Sequence, residues 1–140
     1  MSGNCSPDLL WMLVRKNNAF MVKKDMGRIQ FSKEPYNLTN QNSFKFSGLC
    51  NSKAADIQGA ENGVVLGIKS QKGKNSPAKL YKTTKCARDF TRDFRRVAKC
   101  IKNTVGGYYR PDLSRAALTR WTKFHRSLKI TAAKKGVAKK

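Results

Sequence analysis

Asp89 and Asp93, four residues apart, are the nearest the sequence comes to a catalytic or metal-binding pair. On a helix that spacing puts both carboxylates on one face, where they could hold a divalent ion. They stand among Arg88, Arg92, Arg95 and Arg96, so charge pairing along the helix is the better reading. His125, the lone histidine, could activate Cys50, Cys86 or Cys100 as a nucleophile, but no local signature supports such a pair. A histidine among basic helix residues reads instead as solvated or phosphate-facing. Gly106-Gly107 lacks the further glycine and the Lys-Ser/Thr ending of a phosphate-binding loop. Cys5, Cys50, Cys86 and Cys100 are not clustered as zinc ligands usually are. They read as reduced thiols of a cytosolic or nuclear protein. The expectation is therefore no catalytic residue, no metal, no cofactor and no small-molecule substrate.

Recognition of a polyanion is the chemistry the residues do support. Thirty Lys and Arg face eight Asp and Glu, a formal net charge of +22. Residues 1–60 contribute only +4 of this and residues 61–140 the other +18, so the footprint belongs mainly to the second half. Its candidates are Lys72 and Lys74 in a basic loop, then Arg88, Arg92, Arg95, Arg96 and Lys99. Tyr108, Tyr109 and Arg110 come next, followed by Arg115, Arg120, Lys123 and Arg126. Arginine forks grip phosphate through two hydrogen bonds, and lysine adds a mobile point charge. Tyr108-Tyr109 beside Arg110 offers rings on which an unpaired base could stack; the same rings could instead cover the core between two helices. No helix-turn-helix spacing, zinc finger or basic zipper appears. Cations spread over loops, helices and a tail suit an irregular folded RNA better than a DNA groove. No apolar run approaches bilayer-spanning length, and neither a secretory signal nor a lipidation motif is evident.

These residues need elements to carry them. Ser6-Pro7-Asp8 is a helix start: a capping hydroxyl, a proline suited to the first turn and an acid at the positive end of the dipole. It predicts a helix from Pro7 to about Lys16. Ala19–Lys23 and Arg28–Ser32 read as a hairpin around Asp25-Met26-Gly27. Ser43–Leu49 alternates, with Phe44 and Phe46 on one face, and reads as a strand; Gly48 marks a bulge or a close backbone approach. Residues 51–62 read as polar loop, Val64–Ile68 as a buried strand, 71–77 as a basic loop and Leu80–Thr83 as a last strand. A helix is expected from Thr84 or Lys85 to about Lys102, with Ala87, Phe90, Phe94, Val97 and Ile101 as its apolar stripe. After Gly106-Gly107, Pro111-Asp112 opens another helix, with Leu113, Ala117, Trp121, Phe124 and Leu128 inward.

The fold class is thus α+β: a small antiparallel sheet with a short N-terminal helix, two C-terminal amphipathic basic helices and a basic tail. Residues 1–129 read as a single RNA-binding domain and residues 130–140 as a tail, flexible or ordered by RNA.

Residue order goes further than composition. Leu10-Trp11-Met12-Leu13-Val14-Arg15 opens the series. Glu34-Pro35-Tyr36-Asn37-Leu38 follows, then Asn42-Ser43-Phe44-Lys45-Phe46-Ser47-Gly48-Leu49, Gly63-Val64-Val65-Leu66 and Arg110-Pro111-Asp112-Leu113 with Ala116-Ala117. In this order they resemble the eukaryotic large-subunit ribosomal proteins of the L twenty-eight e family, from about Leu10 to Arg126. The resemblance implies a structural constituent of the cytosolic ribosome, assembled in the nucleolus. It would clamp large-subunit rRNA and touch neighbouring ribosomal proteins, with no membrane partner and no catalytic residues. A nucleolar assembly factor is the alternative, and an RNA-processing enzyme a more distant one.

Overall fold

A computed structural model describes residues 5–23, 29–60, 63–70, 76–87 and 93–137. The architecture is α+β, with a two-stranded sheet, a three-stranded sheet and helices at both ends of the chain. Helix α1 spans Pro7–Val14; strands β1 (Met21–Val22) and β2 (Phe31–Ser32) pair antiparallel, Met21 opposite Ser32 and Val22 opposite Phe31. Strands β3 (Ala55–Ala60), β4 (Gly63–Lys69) and β5 (Tyr81–Ala87) form the second sheet in that order, with a short helix α2 (Pro77–Leu80) before β5. Helix α3 spans Phe94–Ile101 and runs into a wider turn of helix over Lys102–Gly107. A tight turn at Pro111–Leu113 then leads into α4, Ser114–Val137. The chain divides into two compact units: residues 1–56 with 67–83, and residues 57–66 with 84–140.

The first unit is held by polar groups as much as by apolar ones. Ser32, Glu34, Asn37 and Ser47 are buried beside Leu38, Cys50, Ala54 and Ala55. Buried polar atoms cost stability unless they are paired, and here they pair with one another. Asn37 Nδ2 donates to Glu34 Oε1 and to the Gln41 carbonyl, each at 2.9 Å, and Ser47 Oγ donates to Glu34 Oε2 at 3.1 Å. Lys69 is buried too, its ammonium donating to the carbonyls of Gly48 at 2.9 Å and Asn51 at 2.8 Å. Burial pushes its pKa down, opposed by nearby Cys50 and Glu34. At Gly48 a methyl group would overlap the Pro35 carbonyl and lie 2.8 Å from Tyr36 Cβ, so the expected close approach is present. Tyr36 has φ 61°, and its ring stacks on Tyr81 at 4.2 Å.

The second unit has an apolar core. Ile57, Val97, Ile101, Val105, Ala117 and Trp121 are all fully buried, with Val64, Leu66 and Leu113 nearly so. Phe94 stacks on Trp121 at 5.7 Å, joining α3 to α4. At Gly59 a Cβ would stand 3.3 Å from the Phe124 ring, so α4 lies close against β3 within this unit.

Five expectations from the sequence need correction. Ser43–Leu49 is not a strand; Phe44–Phe46 is a 3₁₀ turn. Its carbonyls are taken by Asn51, whose Nδ2 donates to Phe44 O at 2.6 Å and Ser47 O at 2.8 Å, a side-chain capture that competes with sheet pairing. The expected loop at 51–62 contains β3, whose Ala55 and Ile57 are buried. The helix expected from Thr84 begins at Phe94, because 84–87 continue β5 and pair in the sheet. Residues 130–137 continue α4 rather than leaving it as a tail, since Ala132, Ala133, Lys134 and Lys135 are strong helix formers. His125 is buried, not solvated, 4.7 Å from the Phe94 ring and 5.4 Å from Trp121. The expected turn at Asp25-Met26-Gly27 and most of the 71–77 loop lie outside the described residues.

Candidate nucleic-acid interface

Helices α3 and α4 separate apolar from cationic residues by angle. At 100° per residue, Val97 and Ile101 of α3 point to one side, and both are buried. Arg95 and Lys99 point to the other, and both are exposed. Arg96 is exposed beside them, 83% of its side chain open to solvent, 3.4 Å from Asp93. Such an exposed ion pair contributes little and leaves the guanidinium accessible. Lys102, one turn on from Lys99, is exposed as well; the sequence reading passed over it because it closes the expected helix.

The same division runs down α4. Leu113, Ala117, Trp121 and His125 recur every four residues and are buried. Arg115, Lys123 and Arg126 lie about half a turn away, and all three are exposed; Lys129, four residues after His125, continues the inward spacing but is exposed as well. Thr119 and Thr122 share that outward stripe, but their hydroxyls donate to the carbonyls of Arg115 at 3.0 Å and Leu118 at 2.9 Å. The cations are thus the groups on this face best placed to meet phosphate.

Two candidate arginines are engaged inside the unit. Arg120 lies on the core side of α4, where its Nε donates to the Ile57 carbonyl at 3.0 Å and its guanidinium sits 5.7 Å over Phe124. A helical wheel could have signalled this, since residue 120 falls beside residues 113, 117 and 124 rather than beside 115 and 126. Arg110 grips Asp112 with two bonds, Nε to Oδ1 at 3.1 Å and an Nη2 to Oδ2 at 2.6 Å. That fork sits at the entrance to α4, in the family-like run Arg110-Pro111-Asp112-Leu113.

Tyr108 and Tyr109 behave differently. Tyr108 is 98% exposed, so covering the core is not its role. Tyr109 is half-buried. Between α3 and α4 the chain therefore presents one open aromatic ring. Lys72, Lys74, Arg88 and Arg92 lie outside the described residues. Among the described residues no group of three or more His, Cys, Asp or Glu side chains is placed to hold a metal ion. Among the same described residues no helix is long and apolar enough to cross a membrane.

Comparison with known proteins bears on what this surface serves. Residues 9–127 match the model of the Ribosomal L28e protein family. The chain is 40% identical over 119 residues to the large ribosomal subunit protein eL28 of Schizosaccharomyces pombe, covering 82% of this chain and 87% of that protein. It is 37% identical over 135 residues to the Dictyostelium discoideum protein of the same name, covering 96% of each. A Trypanosoma cruzi protein of that name is 31% identical over 134 residues, 93% of this chain and 86% of the relative.

Proposed function

Because the chain belongs to the Ribosomal L28e protein family, we propose that it is a structural constituent of the large subunit of the cytosolic eukaryotic ribosome. Its work there is binding rather than catalysis. Its partners are large-subunit rRNA and other ribosomal proteins, and it joins the particle during nucleolar assembly.

In this reading rRNA is gripped by Arg95, Arg96, Lys99, Arg115, Lys123 and Arg126, with Lys72, Lys74, Arg88 and Arg92 as further contacts. Tyr108 offers its ring to an unstacked base. The single observation that carries the assignment of faces is angular: on α3 and α4 alike, the cations lie opposite the buried stripe and in solvent. A net charge of +22 is a standing self-repulsion in a free chain, and phosphates relieve it. Folding of the second unit fixes the spacing of the cations, so RNA segments that match the spacing are held in place. Arg110 and Arg120 serve by fixing α4, which carries half of the exposed set.

Sedimentation tests the reading. A tagged chain expressed in eukaryotic cells is expected in large subunits, monosomes and polysomes. Confinement to precursor particles, with none on translating ribosomes, would establish an assembly factor instead.

A further inference from the structure

Seven large apolar side chains of the first unit point into solvent. They are Leu9, Met12 and Leu13 of α1, with Phe20, Val22, Ile29 and Phe31 of the β1–β2 ribbon, from 40% to 69% exposed. Among the described residues only Tyr108 and Ile130 join them as exposed large hydrophobics. Scattered single cases are normal, but a concentration of this kind marks an interaction surface.

The geometry explains the concentration. No residue of α1 is buried. Its inner side rests on Trp11, whose ring lies 6.0 Å from Phe44. Leu9, Met12 and Leu13 follow helical spacing along the other side. In the ribbon, Val22 and Phe31 are direct partners and so project from one face, while Met21 and the buried Ser32 project from the other. Helix and ribbon are joined through Asn42, whose Nδ2 donates to the Arg15 carbonyl at 3.0 Å and whose N–H donates to Gln30 O at 2.9 Å. The far edge of β2 is already occupied, because Phe31 bridges Gln41 and Ser32 N donates to Asn40 O at 2.8 Å. The open surface here is a face, not a strand edge.

We propose that this face is the seat of a neighbouring protein of the large subunit, through a segment with an apolar centre and an acidic margin. The proposal rests on the ribosomal reading given above. Charge selects the occupant. Arg15, Lys16, Lys23 and Lys33 stand close to the apolar residues in the chain and are exposed, against one exposed acid there among the described residues, Asp8, and a partner segment rimmed by Asp or Glu complements them. A second copy of this chain, also at +22, would bring like charges together. RNA is a poor match as well. Aliphatic side chains offer phosphate nothing, and residues 1–60 hold only +4 of the total charge.

Two measurements decide it. A photo-crosslinking residue replaces Ile29 in chains assembled into large subunits, and the same residue replaces Tyr108 in a parallel sample. Ile29 is expected to yield a protein adduct mapping to an apolar peptide flanked by Asp or Glu; an RNA adduct, a homodimer or no adduct overturns the proposal. Second, Val22→Lys with Phe31→Lys places charge on an already exposed face. Incorporation into subunits is expected to fall about tenfold, as when the centre of an interface is charged, while affinity of the isolated chain for rRNA is not reduced. Unchanged incorporation overturns the proposal. Absence of the unsubstituted chain from large subunits would instead bring down the ribosomal reading itself.

Discussion

Replacing Arg115, Lys123 and Arg126 together with Gln should flatten the salt dependence of rRNA binding by a calculable amount. The three side chains are exposed on the outward side of α4, away from Ala117 and Trp121. Gln keeps comparable length and helix propensity, so the fold is preserved and only charge is lost. Each phosphate contact contributes about 0.7 to 0.9 to the slope of log affinity against log salt. Losing three should lower the slope by about 2 to 2.7. Between 50 and 200 mM salt the unsubstituted chain should therefore lose about 20- to 40-fold more affinity than the triple variant. Fluorescence anisotropy of a labelled large-subunit rRNA fragment, titrated over a salt series, measures this directly, with circular dichroism to verify helix content. Arg120→Gln is the internal contrast. It removes one positive charge as well, but one whose Nε is held by the Ile57 carbonyl. Its slope should stay where it was while stability falls. A triple variant with an unchanged slope, or an Arg120 variant with a reduced one, would refute the division of α4 into a binding face and a packing face.

Two further substitutions probe the units separately. Trp121→Ala removes a fully buried ring packed on Phe94 and His125, and should cost about 3–5 kcal/mol in urea unfolding; a loss below about 1 kcal/mol would mean the site is not packed. Lys69→Met keeps the buried stem but strands the Gly48 and Asn51 carbonyls, and should cost at least about 2 kcal/mol at neutral pH. The pH dependence has a definite sign. The folded-state pKa of Lys69 lies below its ordinary 10.5, so the folded chain releases that proton before the unfolded chain does. Stability from this group therefore rises as pH climbs from the depressed value towards the ordinary 10.5. The gap in stability between unsubstituted and Lys69→Met chains should widen over that window, and a shrinking gap would contradict the burial of the ammonium.

Elements whose signals are local were readable from residue order. Ser6-Pro7-Asp8 starts α1 as expected, with Ser6 Oγ accepting from Leu9 N at 3.3 Å, and the stripe through Leu113, Ala117 and Trp121 faces the core. The failures occur where long-range contacts decide. Phe44 and Phe46 alternate like a strand, yet Asn51 captures the backbone of that segment. Strand β3 is built from Ala, Asp, Gln and Gly around a single Ile57, residues poor in intrinsic strand preference. It is a strand because it pairs with β4. Helical spacing of Ala87 with Phe90 and Phe94 suggested too early a start for α3, because spacing alone cannot register that 84–87 lie in a sheet. His125 was misjudged by chemistry rather than by pattern. Its place four residues after Trp121 continued the buried stripe, but its polarity suggested solvent. At the candidate interface the outward position of Arg95, Arg96, Lys99, Arg115, Lys123 and Arg126 followed directly from helical angle. The inward side of Arg120 was open to the same angular reading, but its bond to the Ile57 carbonyl and the fork of Arg110 on Asp112 were not.

Those ties bear on how a chain of this charge folds at all. A cation inside a basic protein is tolerable where fixed acceptors replace water, and each inward cation found here has them. Lys69 meets backbone carbonyls, Arg120 meets the Ile57 carbonyl, and Arg110 meets a carboxylate. Backbone carbonyls supply acceptors without drawing on the eight acidic residues of the sequence. Exposed cations such as Arg95, Lys99, Arg115, Lys123 and Arg126 are then open to a partner. It follows that net charge overstates the number of phosphates the protein can neutralise. The salt slope should track the outward cations alone, and a chain whose slope required Lys69, Arg110 and Arg120 as well would have to unfold in order to bind.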